Sequence, residues 1–122
     1  MSAIPTTSYI TETLNLIKNN TPYLALYTAS PNAGGGGTEV SGGSYARQSV
    51  AFGAISSGSM SNTSAITFTN LPAATITHFA VLSASTAGTM RVYGALNASA
   101  AVISGDQVQF PVGSITINLA GS

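Results

Sequence analysis

The hydrophobic positions of this chain change period once. From Ser8 to Asn20 they recur at helical spacing: Ile10, Leu14 and Ile17 form one apolar stripe, with Leu16 beside it. Ser8 is the expected N-cap, and Glu12 lies toward the positive end of the helix dipole. Asn19, Asn20 and Pro22 are expected to end the helix. Such a stripe either closes the chain's own core or docks on a neighbour.

Beyond Pro22 the pattern is that of strands. Tyr23 to Ala29 is apolar and aromatic and predicts a buried strand, followed by a turn at Ser30-Pro31-Asn32 and a loop over Gly34 to Gly37. Ser44 to Phe52 alternates, with Tyr45, Arg47, Ser49 and Ala51 on one side and Ala46, Gln48, Val50 and Phe52 on the other. Ser59 to Thr69 predicts one further strand, with Met60, Ile66 and Phe68 in phase and Asn62 and Ser64 between them on the same face. A turn at Asn70-Leu71-Pro72 leads into the strongest strand, Thr75 to Ala84, carrying Ile76, Phe79, Val81 and Leu82. A hairpin loop at Ser85 to Gly88 returns the chain through Met90 to Leu96. Val102 and Ile103 precede a turn at Ser104-Gly105-Asp106; Val108 and Phe110 follow. Pro111-Val112-Gly113 breaks the ladder, and Ile115, Ile117 and Leu119 share one face of a last strand.

About seven or eight short strands separated by Gly, Pro, Ser and Asn indicate a mainly β chain. The expected architecture is an antiparallel β-sandwich, jelly-roll-like, with one short N-terminal helix. All of residues 1–122 are expected to form a single β domain, the helical segment lying at about 8–20.

Charge changes the picture most. Lys18, Arg47, Arg91, Glu12, Glu39 and Asp106 are the only formal charges, 5% of the residues, where an ordinary soluble domain carries about 25%. A surface of Ser, Thr, Gly, Ala and Asn cannot line a charged cleft, and it suits a protein packed against copies of itself or a larger assembly. Large core-forming residues are few, so subunit contacts are expected to help complete the core. With a net charge of zero there is no basic patch for nucleic acid and no basic amphipathic stretch for a membrane surface. Cysteine is absent, which removes disulfides and thiolate metal sites. The first residues have no basic region followed by an apolar run, so no secretory signal is expected. Without one, the three tripeptides beginning at Asn19, Asn62 and Asn97 are chance matches to the glycosylation pattern.

Candidate chemistry is sparse. His78 is the sole histidine and sits inside the best strand, where a half-buried structural role with a backbone partner is expected. Glu12, Glu39 and Asp106 fall in a helix, a loop and a turn, a poor basis for a paired-carboxylate site. Gly34 to Gly37 is followed by Thr38, Glu39 and Val40 rather than the Lys and Ser or Thr of a phosphate-binding loop. No catalytic residue, metal ligand or cofactor site is therefore assigned. Arg47 can pair with Glu39 or a backbone carbonyl and so fix the loop from Gly34 to Gly43 or a subunit contact. Tyr9, Tyr23, Tyr27, Tyr45 and Tyr93 are suited to core or interface use. The interface candidates are Tyr9, Ile10, Leu14, Ile17, Glu39, Tyr45 and Arg47.

Several segments are familiar as strings: Tyr23–Pro31 (YLALYTASP), Gly37–Gln48 (GTEVSGGSYARQ), Val50–Ala54, Ile76–Val81 (ITHFAV), Tyr93–Leu96 and Ile103–Asp106. In this order they resemble a family of small virion structural proteins of tailed bacteriophages, variously described as tail-fibre, minor tail or decoration proteins. The resemblance implies a virion component without enzymatic activity; the expected location is the outer surface of the particle, after assembly in the host cytoplasm. No shaft repeat is present, so the expected role is an external capsid decoration, or cement, protein. It would be a homo-oligomer, a trimer by analogy, bound to the major capsid protein and stabilising the shell by mass action. The alternative is a tail-associated module bound to tail proteins, either a fibre tip or a minor tail protein, with host-glycan binding a further option.

Overall fold

The N-terminal stripe folds into a helix, α1 (Thr7–Lys18). The computed structural model describes residue 3 and residues 6–32 and 34–119. Thr6, not Ser8, is the N-cap: it is extended (φ −76°, ψ 163°) and its hydroxyl accepts a hydrogen bond from the Tyr9 N–H at 3.2 Å. Ser8 already has helical backbone, so it cannot be the flanking residue. Glu12 lies beyond the first turn, where the dipole has faded. Ile10, Leu14 and Ile17 are buried, Leu14 completely (0% exposed), and join the main core cluster. The stripe thus closes the chain's own core.

Among the described residues nine strands follow: β1 (Tyr23–Ala29), β2 (Thr38–Glu39), β3 (Gln48–Ser49), β4 (Ser59–Ser61), β5 (Ile66–Leu71), β6 (Ala74–Leu82), β7 (Met90–Val102), β8 (Asp106–Phe110) and β9 (Thr116–Asn118). Every strand pairing is antiparallel, so the mainly β class with one short helix is observed. The larger sheet runs β2-β1-β6-β7, with β3 also on β1. The remaining strands form two separate two-stranded ladders, β4-β9 and β5-β8. The main core gathers Leu24 and Leu26 of β1 and Val81 of β6 with the helix stripe, Met60, Ile66, Phe68 and Ile117. Phe68 stacks on Tyr45 and meets the edge of Phe110. On the opposite face of the sheet Ala25, Tyr27, Ala80 and Leu82 form a smaller cluster.

Three segments depart from the expected pattern, each for a local reason. Ser44 to Phe52 is not one strand, because the inward phase changes along it. Tyr45 and Arg47 are half-buried, Ser49 and Ala51 are exposed, and Val50 and Phe52 are buried. Ser59 to Thr69 is interrupted between β4 and β5, where the chain bends at Thr63-Ser64 and Asn62 turns its amide into the core. β7 runs on past Leu96 to Val102. Ile76 pairs with Ala100 but His78 with Ala95, so two steps along β6 face five along β7. This wide bulge leaves Asn97, Ala98 and Ser99 exposed and explains why no apolar alternation marks that stretch.

Candidate functional site

Glu39, Tyr45 and Arg47 are brought together at the end of β1. Glu39 lies on β2 opposite Tyr27, while Tyr45 and Arg47 approach on the chain leading into β3. The Arg47 guanidinium grips the carboxylate in bidentate fashion, Nε donating to Oε2 at 2.9 Å and Nη2 to Oε1 at 2.9 Å. Its Nη1 donates to the carbonyls of Ala84 at 3.0 Å and Ala87 at 2.7 Å in the β6–β7 loop. The Tyr45 hydroxyl donates to Glu39 Oε2 at 2.7 Å and accepts from the Leu26 N–H at 3.0 Å. One arginine thereby ties β2 to the β6–β7 loop, and one tyrosine ties both to β1.

The chain folds this way because two glycines in Gly37–Gln48 allow it. A side chain at Gly37 (φ +86°) would lie 2.8 Å from the Pro31 backbone nitrogen, and one at Gly43 (φ +56°) 2.7 Å from the Asn70 carbonyl. Asn32 organises the preceding loop, its Oδ1 accepting from Gly34 N–H at 2.8 Å and Gly36 N–H at 3.4 Å.

The electrostatics are those of a clamp. Burial acts to raise the Glu39 carboxyl, but hydrogen bonds from Arg47 and Tyr45 outweigh it and hold the group below its ordinary value. The Tyr45 hydroxyl is pushed up by burial and then by its bond to Glu39, and Tyr27 by burial and the nearby Glu39 charge. The Glu39 bond raises Arg47 further, keeping it charged. Beside the clamp lies a hollow of roughly 540 Å³ between Gly34-Gly35 and Ala87-Gly88, with Tyr27 and Arg47 in its wall. All three guanidinium nitrogens of Arg47 already serve Glu39 or the loop carbonyls, so the clamp presents a neutralised pair to this hollow.

Two of the other scarce charges also act on backbone. Arg91 Nη1 donates to the carbonyls of Leu16 at 3.3 Å and Asn20 at 3.4 Å, at the C-terminal end of α1. Asp106 Oδ2 accepts from the Ile103 N–H at 2.9 Å and pins the turn before β8. His78 is half-buried, as expected, but its Nδ1 bonds the Thr77 hydroxyl at 2.8 Å rather than a backbone group. Among the described residues no three His, Cys, Asp or Glu side chains gather as metal ligands would.

The interface candidates therefore divide. Ile10, Leu14 and Ile17 are used inside the chain, whereas Tyr9 is 62% exposed and Leu16 64%. Glu39, Tyr45 and Arg47 bond one another. Asn62, for which no role was expected, is 2% exposed. Its Nδ2 donates to the carbonyls of Ser64 at 2.8 Å and Pro111 at 3.0 Å, and its Oδ1 accepts from the Ile115 N–H at 2.9 Å. The available signal was an Asn in phase with Met60, Ile66 and Phe68 on a face otherwise destined for the core.

Between β7 and the β8 and β9 side lies a cleft of roughly 750 Å³, lined by Phe79, Val92, Leu96, Val108, Phe110 and Ile117 among others, and by no charged residue. It offers apolar contact and strand edges rather than reactive groups.

Compared with known proteins, the chain finds no match among curated ones. Residues 7–118 match the family model described as podophage GP4 fiber I protein gp80. Those limits coincide with the first residue of α1 and the last of β9, so the match embraces the whole architecture described above. It bears out the resemblance to tailed-phage virion proteins, and the chain belongs to the podophage GP4 fiber I protein gp80 family.

Proposed function

We propose that this chain is a non-enzymatic structural module of a phage tail fibre, carried on the outside of the virion. The observation that carries this reading is the family match along residues 7–118. The use of charge supports it: Arg47, Arg91 and Asp106 bond backbone groups and Glu39 holds Arg47, so four of the six charged residues serve the fold. A neutral Ser/Thr/Gly/Ala surface suits permanent packing against other virion proteins. The fibre description favours the tail alternative over capsid decoration, whose main support was the missing shaft repeat. Without such a repeat, the module fits the base or tip of a fibre and has tail proteins as partners.

Separating tails from heads of disrupted virions, followed by mass spectrometry of each fraction, tests this. The protein should partition with the tails. Recovery with emptied capsid shells in amounts comparable to the major capsid protein would replace the fibre reading with decoration.

A further inference from the structure

We infer that residues 83–89 form a flap, latched by Arg47 over the sheet face that carries Tyr27 and Leu82, which opens without unfolding of the domain, and that Glu39 positions the latch. This goes beyond the fibre reading and holds wherever the protein sits on the virion.

The flap has little of its own to hold it down. None of its residues belongs to either core cluster, and Ser85 to Thr89 are all exposed. At its neck the Ser83 N–H donates to the Thr89 carbonyl at 3.0 Å, and the Thr89 N–H to the Ser83 hydroxyl at 2.8 Å. Between these bonds the backbone turns through two consecutive left-handed residues, Ala87 (φ +54°) and Gly88 (φ +77°). Alanine adopts that conformation only at a cost. Among the described residues Arg47 alone ties the tip to the rest of the chain by hydrogen bonds, through the carbonyls of Ala84 and Ala87. A segment with no buried apolar anchor, a strained turn and a single external tie is where a fold opens first.

What lies beside the flap is apolar. Tyr27 and Leu82 are each 5% exposed, and half-buried Met90 packs against their cluster. All three line the hollow together with Ala87, Gly88 and Thr89 of the flap, so lifting the flap opens that hollow onto their side chains. The latch is held from outside. The Glu39 carboxylate binds Nε and Nη2 of Arg47, which leaves Nη1 for the flap. The guanidinium is planar and rigid, so fixing two of its nitrogens fixes the third. Among the described residues no hydrogen bond of Glu39 reaches residues 83–89. Glu39 is thus a positioning residue for a loop to which it is not bonded.

The chain has no cysteine, so one introduced thiol reports the opening. Leu82→Cys places it beside the flap, and Met60→Cys, at a side chain 2% exposed in the main core, reports unfolding of the whole domain. Each is treated with a thiol reagent at neutral pH, alone and combined with Arg47→Ala or Glu39→Gln. In every background the Leu82→Cys thiol should react faster than the Met60→Cys thiol. Arg47→Ala should speed the Leu82→Cys reaction roughly tenfold, the worth of the part-buried bond to the Ala84 carbonyl. Glu39→Gln should speed it roughly threefold. If Leu82→Cys fails to fold, oxidation of Met90 by dilute hydrogen peroxide, read by peptide mass spectrometry, decides instead: it should accelerate in Arg47→Ala and in Glu39→Gln while Met60 stays unoxidised. Equal rates for the two thiols, or a Leu82→Cys or Met90 rate indifferent to either substitution, would each overturn the inference.

Discussion

Arg47→Ala removes four hydrogen bonds at once, and its cost can be bounded from their surroundings. An exposed ion pair is worth about 0.2–1 kcal/mol, whereas a hydrogen bond to a charged group contributes about 1.5–3 kcal/mol when water is held off. The Arg47 and Glu39 side chains are 10% and 25% exposed, and the pair is bidentate, which favours the second range. Water can replace Arg47 at the exposed Ala87 carbonyl, so that bond adds little. The expected loss is about 2–3 kcal/mol, or about 8–12 °C in Tm for a chain of this length. Arg47→Lys keeps the charge but not the fork and should recover less than half. Urea melts at neutral pH measure the loss, and hydrogen exchange should show the 83–89 loop opening. The pH dependence has a definite sign. Glu39 titrates below its ordinary value in the folded chain, so the unfolded state binds the proton first as pH falls. The contribution is present above about pH 4.3 and is lost as pH drops through the lower folded value. The gap between wild type and Arg47→Ala should close there. A loss under about 0.5 kcal/mol, with Lys and Ala variants alike, would show that the clamp is only a solvated pair.

Other outcomes follow from the same packing. Asn62→Ala strips partners from the buried Ile115 N–H and from two carbonyls and should cost about 3 kcal/mol, read from denaturant melts. Asn62→Asp should cost at least as much, because it sets a carboxylate oxygen against the Ser64 and Pro111 carbonyls; near-wild-type stability of the Asp variant would contradict the amide's role. Leu14→Ala, at a side chain with no exposure, should cost about 3 kcal/mol, and removing residues 7–18 should unfold the β-structure. Melting of that truncated chain at the wild-type midpoint would show the helix to be dispensable.

How much of this was legible in the sequence depended on whether the deciding contacts were local. β1 was readable to the residue because Pro22 and Pro31 bracket an apolar run. The helix was readable in its stripe but not at its start, since Thr6 and Ser8 are both capable caps and only backbone geometry chooses. The Glu39–Arg47 pair was foreseen because opposite charges are scarce and close in sequence. The loop carbonyls that Arg47 also holds lie 37 and 40 residues away and left no trace. β7 was cut short because its bulge replaces apolar alternation with small residues. The seam between β7 and β8–β9 is a matter of which edges go unpaired, and no pattern within a single strand encodes that.

The central claim, a structural role on the fibre, is met most directly by gold-labelled antibody against this protein on intact virions viewed by electron microscopy. Gold confined to the fibres around the tail is the predicted result. Gold spread over the capsid shell, or absent from particles that carry complete fibres, would contradict it.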